Sequence, residues 1–132
     1  MQSFRESIPC QPDDLSSLRR SLERWLFDDR VSEEARAAVV LAAHEAAGNV
    51  IEHLGCTEVR VEARIEHDQI YLEVYANGGW QSPDATGDDA RGWAFALINH
   101  LMDSVAIDEH DAGVALRMRR SLLENLRRER SL

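Results

Sequence analysis

The chain has 132 residues, with 15 basic side chains against 24 acidic ones and a formal net charge of -9. So acidic a body argues against nucleic acid and against an anionic membrane as ligands, since both need a basic surface, and it suits a protein partner carrying a basic patch. All 15 basic residues are arginine, so a P-loop lysine and a Schiff-base lysine are both excluded.

The length suits one domain over 1–132, with a core that needs no staple. Cys10 and Cys56 lie far apart and have no metal-ligand spacing, so both are expected to be packing or surface thiols, not a disulfide. No apolar run approaches the roughly 20 residues of a membrane span, and the N-terminus has no signal pattern. A cytoplasmic location is the expectation.

Residues 1–12, with Pro9 and Pro12, suit an extended lead-in or an edge strand. From Asp13 the pattern turns helical, with Leu15, Leu18, Leu22, Trp25 and Leu26 at three- and four-residue steps and Asp13 or Asp14 as the cap. Ser32 reads as the next N-cap, and an alanine-rich helix runs from about Glu33 to Leu54, with Gly55 as its stop. Apolar and charged residues then alternate through Val59 to Glu66 and again through Ile70 to Tyr75, either side of a turn at His67-Asp68-Gln69. These are two antiparallel strands with one buried face. Residues 77–91 form a long loop, of a length that is often functional in so small a domain. A helix follows from Gly92 to Asp103, then strands at Ser104 to Asp108 and Gly113 to Arg119 around a turn. Residues 121–132 suit a short amphipathic helix or a tail. The order predicts an α+β fold: a two-layer sandwich, with a mainly antiparallel mixed sheet and helices on one face.

Glu45, Asn49 and His53 carry the strongest chemical signal. They are four residues apart, and each such step drifts only about 40° around a helix, so all three share one stripe. A carboxamide oxygen is a hard neutral ligand for Mg²⁺, and a neighbouring carboxylate can orient or deprotonate a hydroxyl. A solvated polar helix face would show the same spacing. Asn77-Gly78-Gly79 is a turn signal. Gly92 marks either an ordinary helix start or backbone N–H groups aimed at a phosphate.

Taken in order, these features resemble the GHKL, or Bergerat, ATP-binding fold, and within it the anti-sigma-factor serine kinases of the RsbW type. The helix motif E-x-x-x-N-x-x-x-H matches Glu45, Asn49 and His53. The D-x-G-x-G box after the second strand matches Ala76-Asn77-Gly78-Gly79-Trp80. The lid-end box matches Gly92-Trp93-Ala94-Phe95-Ala96-Leu97-Ile98, and L-x-D-x-V matches Leu101 to Val105. A glycine-led last strand matches Gly113-Val114-Ala115-Leu116. The resemblance runs from about residue 10 to residue 120. It implies ATP and Mg²⁺ as cofactors, Glu45 as the base and Asn49 as the metal ligand. It also implies nucleotide contacts around His53, Ala76, Gly78, Gly79, Arg91, Gly92, Ala94 and Gly113, under a lid of about 77–91. The implied partners are an alternative sigma factor and a STAS-type antagonist whose serine is phosphorylated, in a homodimeric protein.

The departures fall on one half of the motif set. The aspartate that accepts from the adenine amino group in this family is Ala76 here, and Asn77 falls on the opposite strand face. Ala94 stands where the lid-end box has its second glycine, and Trp80 where the first box has its own, unless Gly79 takes that place. Losing one buried hydrogen bond to the base costs about 1–3 kcal/mol. Two readings follow: an ATP-dependent serine kinase, or a protein-binding module with a degenerate nucleotide site.

Overall fold

The computed structural model describes residues 2–28, 30–78, 95–110 and 112–122. Strand β1 spans Gln2–Pro9, and a 3-10 turn at Pro12–Asp14 leads into helix α1, Leu15–Trp25. Helix α2 is Glu33–His53, followed by strands β2, Glu58–Glu66, and β3, Gln69–Asn77. Residues 95–101 are helical, and β4, Ser104–His110, and β5, Gly113–Ser121, end the described chain. The five strands lie in the order β1-β2-β3-β5-β4, and every neighbouring pair is antiparallel.

Alternation builds the sheet. Val59, Val61, Ala63 and Ile65 of β2 lie opposite Ala76, Val74, Leu72 and Ile70 of β3, and all eight are buried. Their period of two sends the charged neighbours to the other face. α1 and α2 cover the apolar face, α1 with Leu18 and Leu22 and α2 with a run of alanines and valines. The result is the expected two-layer α+β sandwich. On the other face the charges are organised: Arg60 lies 4.7 Å over the Tyr75 ring and Arg64 4.3 Å over Tyr71. Arg117 bridges Glu73 and Asp108, and these two carboxylates, Glu73 first, hold its guanidinium above its ordinary range.

The N-terminal segment is an edge strand. Phe4 and Ile8 face inward opposite Ala63 and Val59, and the Phe4 ring lies 5.8 Å from that of Trp25. Ser32 caps α2, its Oγ accepting from Ala35 N at 3.0 Å. Such a cap contributes about 1 kcal/mol. The acid cap expected for α1 does not form: Asp14 stands at that position with helical φ and ψ and makes no side-chain cap bond. The 3-10 turn has already bent the chain, and Leu15 N donates back to Pro12 O. α2 stops through an extended Leu54 and not through a left-handed Gly55. The β4–β5 hairpin is tighter than expected, with pairing down to His110 and Gly113. At the other end of β5, Ser121 still belongs to the strand and Leu122 is buried.

One expectation is overturned. Cys10 and Cys56 form a disulfide, with Cα atoms 5.8 Å apart, inside the usual range for such a bond. Distance along the chain was a poor guide, because β1 runs antiparallel to β2 with Pro9 opposite Glu58. That register sets the residue after β1 against the link before β2. The bond closes a loop of 46 residues' separation, for which chain-entropy arithmetic gives about 4 kcal/mol of stabilisation.

No described helix is long and apolar enough to cross a membrane. Of the expected lid of about 77–91 and tail 121–132, residues 79–91 and 123–132 lie outside the described residues, as does the expected helix start at Gly92, while Asn77 ends β3 and Ser121 ends β5.

Candidate functional site

Helix α2 sets the stripe. Asn49 is 7% exposed, although its side chain is polar, and its Oδ1 has no hydrogen-bond partner among the described residues. His53, in the last turn, buries Nε2 without a hydrogen bond among those residues, and a Glu52 carboxylate oxygen lies 3.9 Å away. Glu45 is half-buried on the same stripe. Buried polar atoms are almost always paired, because leaving one unmade costs about 1–3 kcal/mol. An amphipathic helix with a merely wetted polar face would not bury Asn49 in this way.

The alanines leave the stripe low-shouldered. Ala42, Ala43, Ala46 and Ala47 are buried against the core, and Gly48 faces α1. A methyl group on Gly48 would meet only Leu15 Cδ1, at 3.7 Å, an ordinary contact. Alanine also favours helix over glycine by about 0.5–1 kcal/mol. Gly48→Ala is therefore expected to raise stability by that amount, read as a higher urea midpoint with an unchanged slope.

The end of β3 pairs with the start of β5. Ala76 is fully buried on the inner face, between Val59 of β2 and Val114 of β5 in the ladder. Asn77 is on the outer face, as its parity dictates, and is fully engaged there. Its Oδ1 accepts from Thr57 N at 3.0 Å and Glu58 N at 3.1 Å, and its Nδ2 donates to Thr57 Oγ1 at 2.8 Å. Asn77 is thus a brace for the link between α2 and β2 and does not stand in for an acceptor at Ala76. Sequence reasoning found its orientation but not this role. The signal available was a carboxamide at a strand end opposite a Thr-Glu pair.

Gly78 follows with a positive φ of 95°. A side chain there would also place Cβ 2.7 Å from Gly55 O, so this position requires glycine twice over. The atoms met are backbone atoms of Gly55, so the contact demands glycine at 78 and not at 55. Gly113 opens β5 opposite Asn77. Gly79, Arg91, Gly92 and Ala94 lie outside the described residues. Of the sequence-derived set, the structure therefore brings Glu45, Asn49 and His53 onto one helix stripe, and Ala76, Gly78 and Gly113 onto two neighbouring strand ends.

The donor chemistry fits a magnesium–phosphate group better than a metal held by protein alone. A buried, unpaired carboxamide oxygen is a suitable Mg²⁺ ligand, and Mg²⁺ ordinarily takes few protein ligands and completes its shell with phosphate oxygens and water. Among the described residues no group of three or more His, Cys, Asp or Glu side chains could hold a metal ion. A site here would need oxygens from its ligand.

A family model described as the histidine kinase-like ATPase domain matches residues 8–120. Among solved structures, the fold is similar to that of the RsbU and RsbW domains of Rv1364c from Mycobacterium tuberculosis. The TM-score is 0.75 at 18% identity, covering 92% of this chain and 33% of that one. It is also similar to the histidine kinase domain of the blue-light activated histidine kinase EL346 from Erythrobacter litoralis. There the TM-score is 0.57 at 12% identity, covering 87% of this chain and 62% of that one. The chain thus spans about a third of the first and less than two thirds of the second. Among curated proteins compared by sequence, none matches.

Proposed function

Since the chain belongs to the histidine kinase-like ATPase domain family, we propose that it is a partner-switching regulator that binds Mg·ATP through α2. In this reading it sequesters an alternative sigma factor and phosphorylates a serine on a STAS-type antagonist. The observation that carries the nucleotide half is the buried Asn49 Oδ1, which has no hydrogen-bond partner among the described residues. Asn49 would hold Mg²⁺, which when bound neutralises phosphate charge. Glu45, one turn earlier on the same stripe, would accept the proton of the serine hydroxyl. Gly78 and Gly113, held against Gly55 O and Ala76 O where a side chain has no room, would shape the strand ends beside the ligand. In phosphoryl transfer, positioning and electrostatics supply most of the catalysis, so few residues are required. The sigma-factor and antagonist partners rest on the likeness to the RsbW type and on the acidic net charge.

A second reading has its own observation. Ala76 is completely enclosed and offers no acceptor to a base. If that loss abolishes nucleotide binding, the chain is a non-catalytic module that holds its partner by surface alone.

Calorimetric titration with Mg·ATP separates the two. Kinase function predicts binding in the micromolar range that Asn49→Ala weakens by at least about tenfold, the worth of one charge-assisted contact. No heat up to millimolar Mg·ATP would overturn it and leave the binding module.

A further inference from the structure

The Cys10–Cys56 bond joins no random pair of surface loops. Residues 54–57 lead directly from His53, the last residue of α2, into β2. Two further segments converge on this link, and a third reaches it through Gly78. Cys10 N, just past β1, donates to Thr57 O at 3.0 Å. The Asn77 side chain, at the end of β3, binds Thr57 and Glu58. Gly78 packs against Gly55 O and its N–H donates to Ala112 O at 3.3 Å. The disulfide is the covalent member of this knot, and both of its cysteines are half-buried, within reach of a small thiol.

We propose that Cys10–Cys56 is a redox clamp on the candidate site. When closed, it fixes the 54–57 link and with it the last turn of α2. When opened by a dithiol reductant, it releases the link and weakens ligand binding at the Asn49–His53 stripe. The chemistry is thiol–disulfide exchange. A thiolate of the dithiol attacks one cysteine sulfur and expels the other. The second thiol of the reductant then resolves the mixed disulfide, closing the reductant's own S–S bond. Two electrons pass to the protein, and each cysteine sulfur takes up one proton. Opening leaves Asn77 as the main brace on the link, so the structural effect is local to residues 54–58 and 78.

The effect on ligand affinity rests on the nucleotide reading above, whereas the clamp does not. The experiment compares the full chain, air-oxidised and then treated with dithiothreitol, with thiols counted after denaturation. Hydrogen exchange at Thr57, Glu58 and Gly78 is expected to speed up about tenfold on reduction, through a local opening that urea hardly changes, whereas Val61 and Leu72 in the sheet centre exchange by steeply urea-dependent global unfolding and report only the lost loop closure. The Mg·ATP dissociation constant should rise several-fold in the same sample. Cys10→Ser and Cys56→Ser should each exchange like the reduced protein and ignore dithiothreitol. Unchanged exchange at the three link amides, in protein whose two thiols titrate as free, would overturn the clamp. So would link amides as steeply urea-dependent as Val61 and Leu72, which would make the bond a global staple alone, and so would two free thiols in the oxidised sample. If the link amides respond but neither form binds Mg·ATP, the clamp stands and the nucleotide reading falls.

Discussion

Gly113→Ala is expected to destabilise the protein by about 2–4 kcal/mol, the cost of forcing atoms into a packed site with no way to relax. For a domain of this size that lowers the midpoint of thermal unfolding by roughly 10 °C. The added methyl group would lie 2.4 Å from Ala76 O and 3.1 Å from Asn77 Cα. Both are backbone atoms of the adjoining strand, so no rotamer change relieves the clash. Only the third neighbour, Tyr75 Oη at 3.0 Å, could swing aside. Relief must come from prising β5 away from β3 where Gly113 faces Asn77, and Asn77 is the residue that braces the link after α2. The damage should therefore reach the α2 terminus as well as the sheet. Differential scanning calorimetry of the parent, Gly113→Ala and the benign Gly48→Ala checks the reasoning, because the same atom is added in both variants and only its surroundings differ. A Gly113→Ala midpoint within about 2 °C of the parent would mean that the strand ends yield easily, against the packing argument.

The contrast between these two glycines shows what was legible in the sequence. Gly48 lies in a helix whose period could be read, and its neighbour Leu15 belongs to the other legible helix. β2 and β3 were equally plain, because charged and apolar residues alternate without a break. The Glu45–Asn49–His53 stripe followed from helical geometry alone. β1 was less clear because Glu6 interrupts its alternation. It takes an inward position between Phe4 and Ile8, and its buried Oε2 has no partner among the described residues. The knot around residues 54–58 was not legible at all. It depends on four segments meeting, and no local pattern in any one of them announces the others. The disulfide is the clearest case: two cysteines with no spacing signal become neighbours only once the β1–β2 register is known. The likeness to the family located the boxes but could not say that Asn77 was already committed to the link.

Ala76→Asp should have the second large effect, and its sign should depend on what is bound. Ala76 is fully buried with Val59 and Val114 as its ladder partners. A carboxylate placed there loses its hydration and gains no partner in the free protein, costing about 3 kcal/mol at neutral pH. Burial raises the pKa of that carboxyl in the folded state above its unfolded value. The folded form is then favoured below the unfolded pKa and loses ground as pH rises through the folded one. The gap in stability between variant and parent should therefore narrow as pH falls from 7 towards 4, which denaturant titrations at several pH values would reveal. Nucleotide separates this burial cost from a role in base recognition. Adenine presents an amino donor where guanine presents an oxygen, so a carboxylate in the base pocket should favour ATP over GTP. Mg·ATP is then expected to raise the unfolding midpoint of Ala76→Asp by more than that of the parent, in proportion to the logarithm of its improved affinity, and Mg·GTP is not. A variant that loses stability as expected but gains no preference for ATP would place position 76 outside any base pocket. The enclosed alanine would then be core alone, and the protein-binding module would become the better account of the site.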